Sequence, residues 1–194
     1  IRDHCVTGVQ TCALPIFVIN SGTIENQYGS NDGAAIYFEV NMMNSTIDIN
    51  GGTIYCLKGY GIYAQYNKII NIYDGTIKGA KQGIRTNSVL KIYGGTIEGT
   101  DETSNAIYTT GEVTVTGGTV KAVGTGATID QRGSAKLNIS GGTIENTGSG
   151  PAISSSLSST NGSFTIGGNA EIISNNPDSD SGTIYVSGSQ GSLL

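Results

Sequence analysis

Residues 137–144 read LNISGGTI, and the recurrence of this stretch decides the fold. Leu137 and Ile139 alternate with Asn138 and Ser140, the period-two pattern of a strand with one buried face. The glycine pair that follows reads as a sharp corner, because glycine tolerates positive φ. Thr143-Ile144 then opens a second extended segment. The same pattern stands at 17–24 (FVINSGTI), 47–54 (IDINGGTI), 70–77 (INIYDGTI), 90–97 (LKIYGGTI) and 113–120 (VTVTGGTV), and a degraded copy, FTIGGNAEI, at 164–172. The Thr of the motif recurs every 20 to 30 residues.

Each unit carries a second signature downstream: a small residue, an Ile and a variable residue. The copies are Ala35-Ile36-Tyr37, Gly61-Ile62-Tyr63, Gly83-Ile84-Arg85, Ala106-Ile107-Tyr108, Thr128-Ile129-Asp130, Ala152-Ile153-Ser154 and Thr183-Ile184-Tyr185. A unit therefore offers three short extended segments. A unit of this length cannot bury its own apolar face and must stack on copies of itself. Stacking at the strand spacing of about 4.8 Å turns equivalent residues into columns. The expected fold is all-β, a right-handed parallel β-helix of about seven coils with three short strands each. The handedness follows the general rule for parallel crossovers. One inner column is Ile24, Ile54, Ile77, Ile97, Val120 and Ile144; another is Ile36, Ile62, Ile84, Ile107, Ile129, Ile153 and Ile184. The residues after the first column run Glu25, Tyr55, Lys78, Glu98, Lys121, Glu145, so from Lys78 onward the stacked charges alternate in sign.

The chain of 194 residues suits one domain. Its 30 Gly do not recur every third residue, which excludes collagen. A net charge of −5 without a basic stripe argues against nucleic acid as a partner. No apolar run is long enough for membrane insertion. Residues 1–16 share nothing with the repeat, and Val6–Ile16 (VTGVQTCALPI) resembles the conceptual translation of a sequencing adapter. The domain is accordingly expected to span 17–194, with 1–16 a non-native read-through and both ends cut from a longer gene. His4, Cys5 and Cys12 fall in that segment, so no metal or nucleophile site is built on them.

The GGTI-type unit with its trailing small-Ile pair resembles the β-helical repeats of bacterial surface proteins, including adhesins and the pectate-lyase-like superfamily. The resemblance covers about 17–190. It implies a secreted or cell-surface protein, extracellular in location, that is adhesive or glycan-binding. The alternative it implies is the non-catalytic portion of a polysaccharide lyase or glycoside hydrolase whose active-site coils lie elsewhere. The implied partners are a polysaccharide or host glycan and the remaining coils of the full-length protein.

Chemistry in the sequence is sparse. The acids fall at different phases of the repeat, so no catalytic carboxylate pair and no metal site is expected, and no cofactor is implied. Arg85 and Asp130 share the outward phase of the third segment two coils apart; Asp74 replaces a corner glycine and reads as a turn residue. Asp101-Glu102 and Asp178-Ser179-Asp180 read as solvated loop acids. The candidate ligand-binding residues are tyrosines. Tyr37, Tyr63, Tyr108 and Tyr185 share one outward phase, and Tyr73 and Tyr93 are neighbours before the corner. Exposed tyrosines in a row can stack on sugar rings, having an apolar face and a polar hydroxyl. The competing reading is that Tyr simply fits strands and packs on its cross-strand neighbour.

Overall fold

The computed structural model describes residues 16–27, 32–39, 44–66, 68–133, 135–157, 162–178 and 180–188. The segment set apart as read-through lies outside the described residues except for Ile16. That residue already belongs to the first strand, Ile16–Ile19, and pairs with Thr46.

The described residues form 21 strands and no helix. One coil shows the plan: Ile69–Ile72, then Thr76–Gly79, then Gln82–Thr86. The three strands of each coil belong to three different sheets. Each sheet holds seven parallel strands, one from every coil in succession, which is a parallel β-solenoid. The first sheet collects the strands before the corner, the second those after it, and the third those with the small-Ile pair.

The register is that of matching repeat positions. Ile77 pairs with Ile97 and Ile97 with Val120; Ile84 pairs with Ile107 and Ile107 with Ile129. These side chains point to one axis and are fully buried in the central coils, together with Ile70, Leu90, Val113 and Leu137 of the first sheet. Each Ile withdrawn from water contributes about 1.5–3 kcal/mol. At the ends the columns open. Ile24, Ile36 and Ile172 are only partly covered, and Ile184 is 37% exposed, for among the described residues each has a paired strand on one side only.

The corner has a division of labour. Its second position, Gly52, Gly75, Gly95, Gly118 and Gly142, has φ between 75° and 99°, where any side chain is strained. The first position does not, so Asp74 can stand there, its carboxylate accepting from the Gly75 N–H at 2.7 Å. Chain strands are joined across coils by backbone bonds at these corners as well, as in Thr96 N–H to Gly75 O at 2.8 Å.

Candidate functional site: a tyrosine–arginine face on the third sheet

The outward column of the third sheet is Tyr37, Tyr63, Arg85, Tyr108, Asp130, Ser154, Tyr185, each paired with the next. The structure thus brings Tyr37, Tyr63 and Tyr108 onto one face and sets Arg85 between the last two. Tyr185 lies on the same sheet, but Asp130 and Ser154 separate it from Tyr108. Tyr73 and Tyr93 belong elsewhere, at the end of the first sheet, where their rings stack with centroids 5.0 Å apart and planes 8° from parallel. The six tyrosines are therefore two separate groups and one outlier.

The face is built from cross-strand contacts. Tyr37 meets Tyr63 edge-on at 5.2 Å and is 54% exposed. Tyr60, buried and three residues before Tyr63, packs against it at 5.2 Å. The Arg85 guanidinium lies over three rings, 4.9 Å from Tyr108 and 5.6 Å from both Tyr60 and Tyr63. Each contact is a cation–π attraction, and the flat guanidinium fills the space between coils as a ring would.

Charged neighbours complete the face. Arg85 Nη1 donates to Tyr60 Oη at 3.3 Å, and that hydroxyl donates to Asp32 at 3.4 Å. Lys81 bridges Asp32 at 2.8 Å and sits 5.4 Å over the Tyr60 ring. The hydrogen bond and charge of Lys81 hold the Asp32 carboxyl below its ordinary value, and Arg85 adds to the effect. Asp130 is clasped by Arg132 with two bonds, at 2.6 and 2.9 Å. Asp130 thus hydrogen-bonds a side chain two positions on rather than Arg85, two coils back.

Beside Arg85 the face dips into an open depression of about 180 Å³, lined among others by Tyr63, Tyr66, Asn87, Tyr108 and Thr110. Its wall is the Gln65-Tyr66 turn. Tyr66 has φ of 56°, uncommon for a bulky residue. Its N–H donates to Asn87 Oδ1, and Gln65 Nε2 donates to Tyr63 Oη. Lys68, 1% exposed, anchors the turn from inside: its ammonium donates to the carbonyls of Gln65, Tyr66 (3.3 Å) and Glu39 (2.9 Å). Burial pushes the Lys68 pKa below the ordinary lysine value.

Tyr60, Tyr66, Lys68, Lys81 and Asp32 were not singled out in the sequence, since they sit in connecting segments or off the repeat phase. Arg85 was at the tyrosine phase, and its place between two rings follows from the register alone. The other loop acids behave as turn residues. Asp178 accepts from the Asp180 N–H and the Ser181 hydroxyl, both at 2.9 Å, and these bonds, the backbone one first, lower its pKa. Among the described residues no group of three or more His, Cys, Asp or Glu could hold a metal ion, and no helix is long and apolar enough to cross a membrane. No family model, no curated protein and no solved structure matches the chain.

Proposed function

We propose that the third-sheet face is a glycan-binding surface, and that the chain is an adhesive portion of a secreted or cell-surface bacterial repeat protein. The observation that carries the reading is the unbroken run Tyr37, Tyr63, Arg85, Tyr108, one residue per coil on an exposed sheet. Its strand spacing of about 4.8 Å repeats a planar group along a rigid axis, and an extended polysaccharide presents ring after ring in the same way. A binding surface on a solenoid needs no moving parts, which limits the entropy lost on association.

One further point supports binding over bond cleavage. The two carboxylates on this face, Asp32 and Asp130, are each held by a cation, Lys81 and Arg132. Neither is placed as a free acid and base on either side of a scissile bond. The resemblance of the repeat to bacterial surface β-helices, pectate-lyase-like proteins among them, agrees with an extracellular setting.

The test is a glycan array probed with the full chain and with a Tyr37→Ala/Tyr63→Ala double variant whose melting curve matches the parent. Binding by the parent and its loss in the variant is the expected outcome. Binding that survives the double substitution would remove this face as the site.

A further inference from the structure

The next step rests on the glycan-binding reading and narrows the class of ligand. The Arg85 guanidinium lies within cation–π reach of Tyr60, Tyr63 and Tyr108, so a ligand lying along the run meets a charged group between the Tyr63 and Tyr108 rings. In this layer the accessible chemistry is the guanidinium itself.

Among the described residues Arg85 is the cation of this face that no carboxylate meets in an ion pair, although its charge reaches Asp32. Among the described residues the ion pairs are Lys78 and Lys121 with Glu98, Lys81 with Asp32, and Arg132 with Asp130; Arg85 is in none of them. Its hydrogen bond to Tyr60 uses one of five guanidinium donors. Lys81 and Arg132 are taken up by Asp32 and Asp130, which leaves Arg85 the cation of this face outside an ion pair among the described residues. A planar, forked donor of this kind matches a carboxylate or sulfate in two parallel bonds.

The depression beside Arg85 supplies the rest of a site. Tyr66 stands at its wall, 48% exposed, in a left-handed conformation that Asn87 and the buried Lys68 hold in place. An uncommon backbone conformation braced from two sides is the mark of a pre-organised wall. We infer that Arg85 and this depression form a subsite for the carboxylate of an acidic glycan, the sugar that bears it lying against Tyr66.

The experiment uses the full chain on three matched sets of oligosaccharides: glucuronate-containing, their neutral glucose counterparts, and sulfated counterparts. The parent should bind the carboxylated set about tenfold or more tightly than the neutral one. Raising salt from low to high should narrow that gap, since an exposed ion pair is screened. Arg85→Gln should remove the preference while leaving weak binding that still depends on Tyr37, and Arg85→Lys should keep only part of it. Equal affinity for carboxylated and neutral sets, or no effect of Arg85→Gln, overturns the inference and leaves the glycan reading standing. A sulfated set bound best overturns the carboxylate assignment. No binding to any set overturns both. If Arg85→Gln fails to fold, Arg85→Lys decides the matter, since an unchanged preference in that variant would overturn the inference.

Discussion

Glu98 receives the Lys78 ammonium at 2.8 Å from one coil below, and Lys121 reaches the same carboxylate at 3.0 Å from the coil on the other side. The alternation of charge along the second sheet is thus a physical bridge across three coils. Burial pushes the Glu98 carboxyl up, and the two lysines together outweigh it and leave its pKa below the ordinary value.

A carboxyl depressed in the folded state stabilises the fold above its unfolded pKa and loses that contribution as pH falls through the folded one. Glu98→Gln should therefore destabilise the chain at pH 7 by about 1 kcal/mol, a modest figure because both lysines are more than a third exposed. The difference between parent and variant should begin to shrink below about pH 4.5 and vanish at lower pH. Paired melting curves from pH 7 to pH 3 would check it; a difference that stays constant with pH would exclude this ion triad as the cause.

Ile84 and Ile184 occupy the same column, one with no exposure and the other 37% exposed. Ile84→Ala should cost about 2–5 kcal/mol, the usual loss for a buried Ile cut to Ala. Ile184→Ala should cost under about 1 kcal/mol, as for other substitutions that leave no cavity. Denaturant midpoints of the two variants measure this directly, and equal losses would mean that the axis is not the core.

The corner separates its two positions. An Ala at Gly95 must adopt φ of 75° and set its Cβ 2.7 Å from the Gly75 carbonyl oxygen. Gly95→Ala should cost about 2 kcal/mol or more. Asp74→Gly exchanges an exposed turn residue for a more flexible one and should cost under about 1 kcal/mol. Thermal shifts in the reverse order would contradict the assignment of strain to the second position.

Lys68→Met keeps most of the buried side chain and removes the ammonium whose donors reach Glu39, Gln65 and Tyr66. Those carbonyls would lose their partner, at about 1–3 kcal/mol for a buried acceptor left unsatisfied. Amide exchange should rise at residues 65 and 66 before it rises in the strand Ile69–Ile72. Uniform acceleration throughout would show that the amine supports the coil and not the turn.

The columns were legible because strand alternation and a repeated corner leave only one register. Leu137 and Ile139 point inward, and Ile97 finds Ile77 and Val120, as the repeat dictates. The tyrosines were legible by phase but not by position. Phase places Tyr185 with Tyr37, while Asp130 and Ser154 divide the column; Tyr73 and Tyr93 lie at a different sheet. What escaped the sequence comes from the connections between the second and third strands and around the coil ends. Asp32, Lys81 and Lys68 obey no repeat, so no periodicity announces that they meet Tyr60 or the turn at Tyr66. The inclusion of Ile16, from the segment set apart, in the strand Ile16–Ile19 has the same origin: strand pairing to Thr46 ignores where a motif begins.

Because backbone bonds join each coil to its immediate neighbours, as Thr96 to Gly75, the two termini of the solenoid are mechanically in series with every layer between them. Tension applied at the chain ends would peel one turn at a time instead of shearing the whole body. A turn such as the one from Thr76 to Thr96 frees chain at about 3.4 Å per residue, or on the order of 70 Å of slack per event. A pulling trace should show a regular sawtooth, the behaviour of a tether that lengthens under load without letting go.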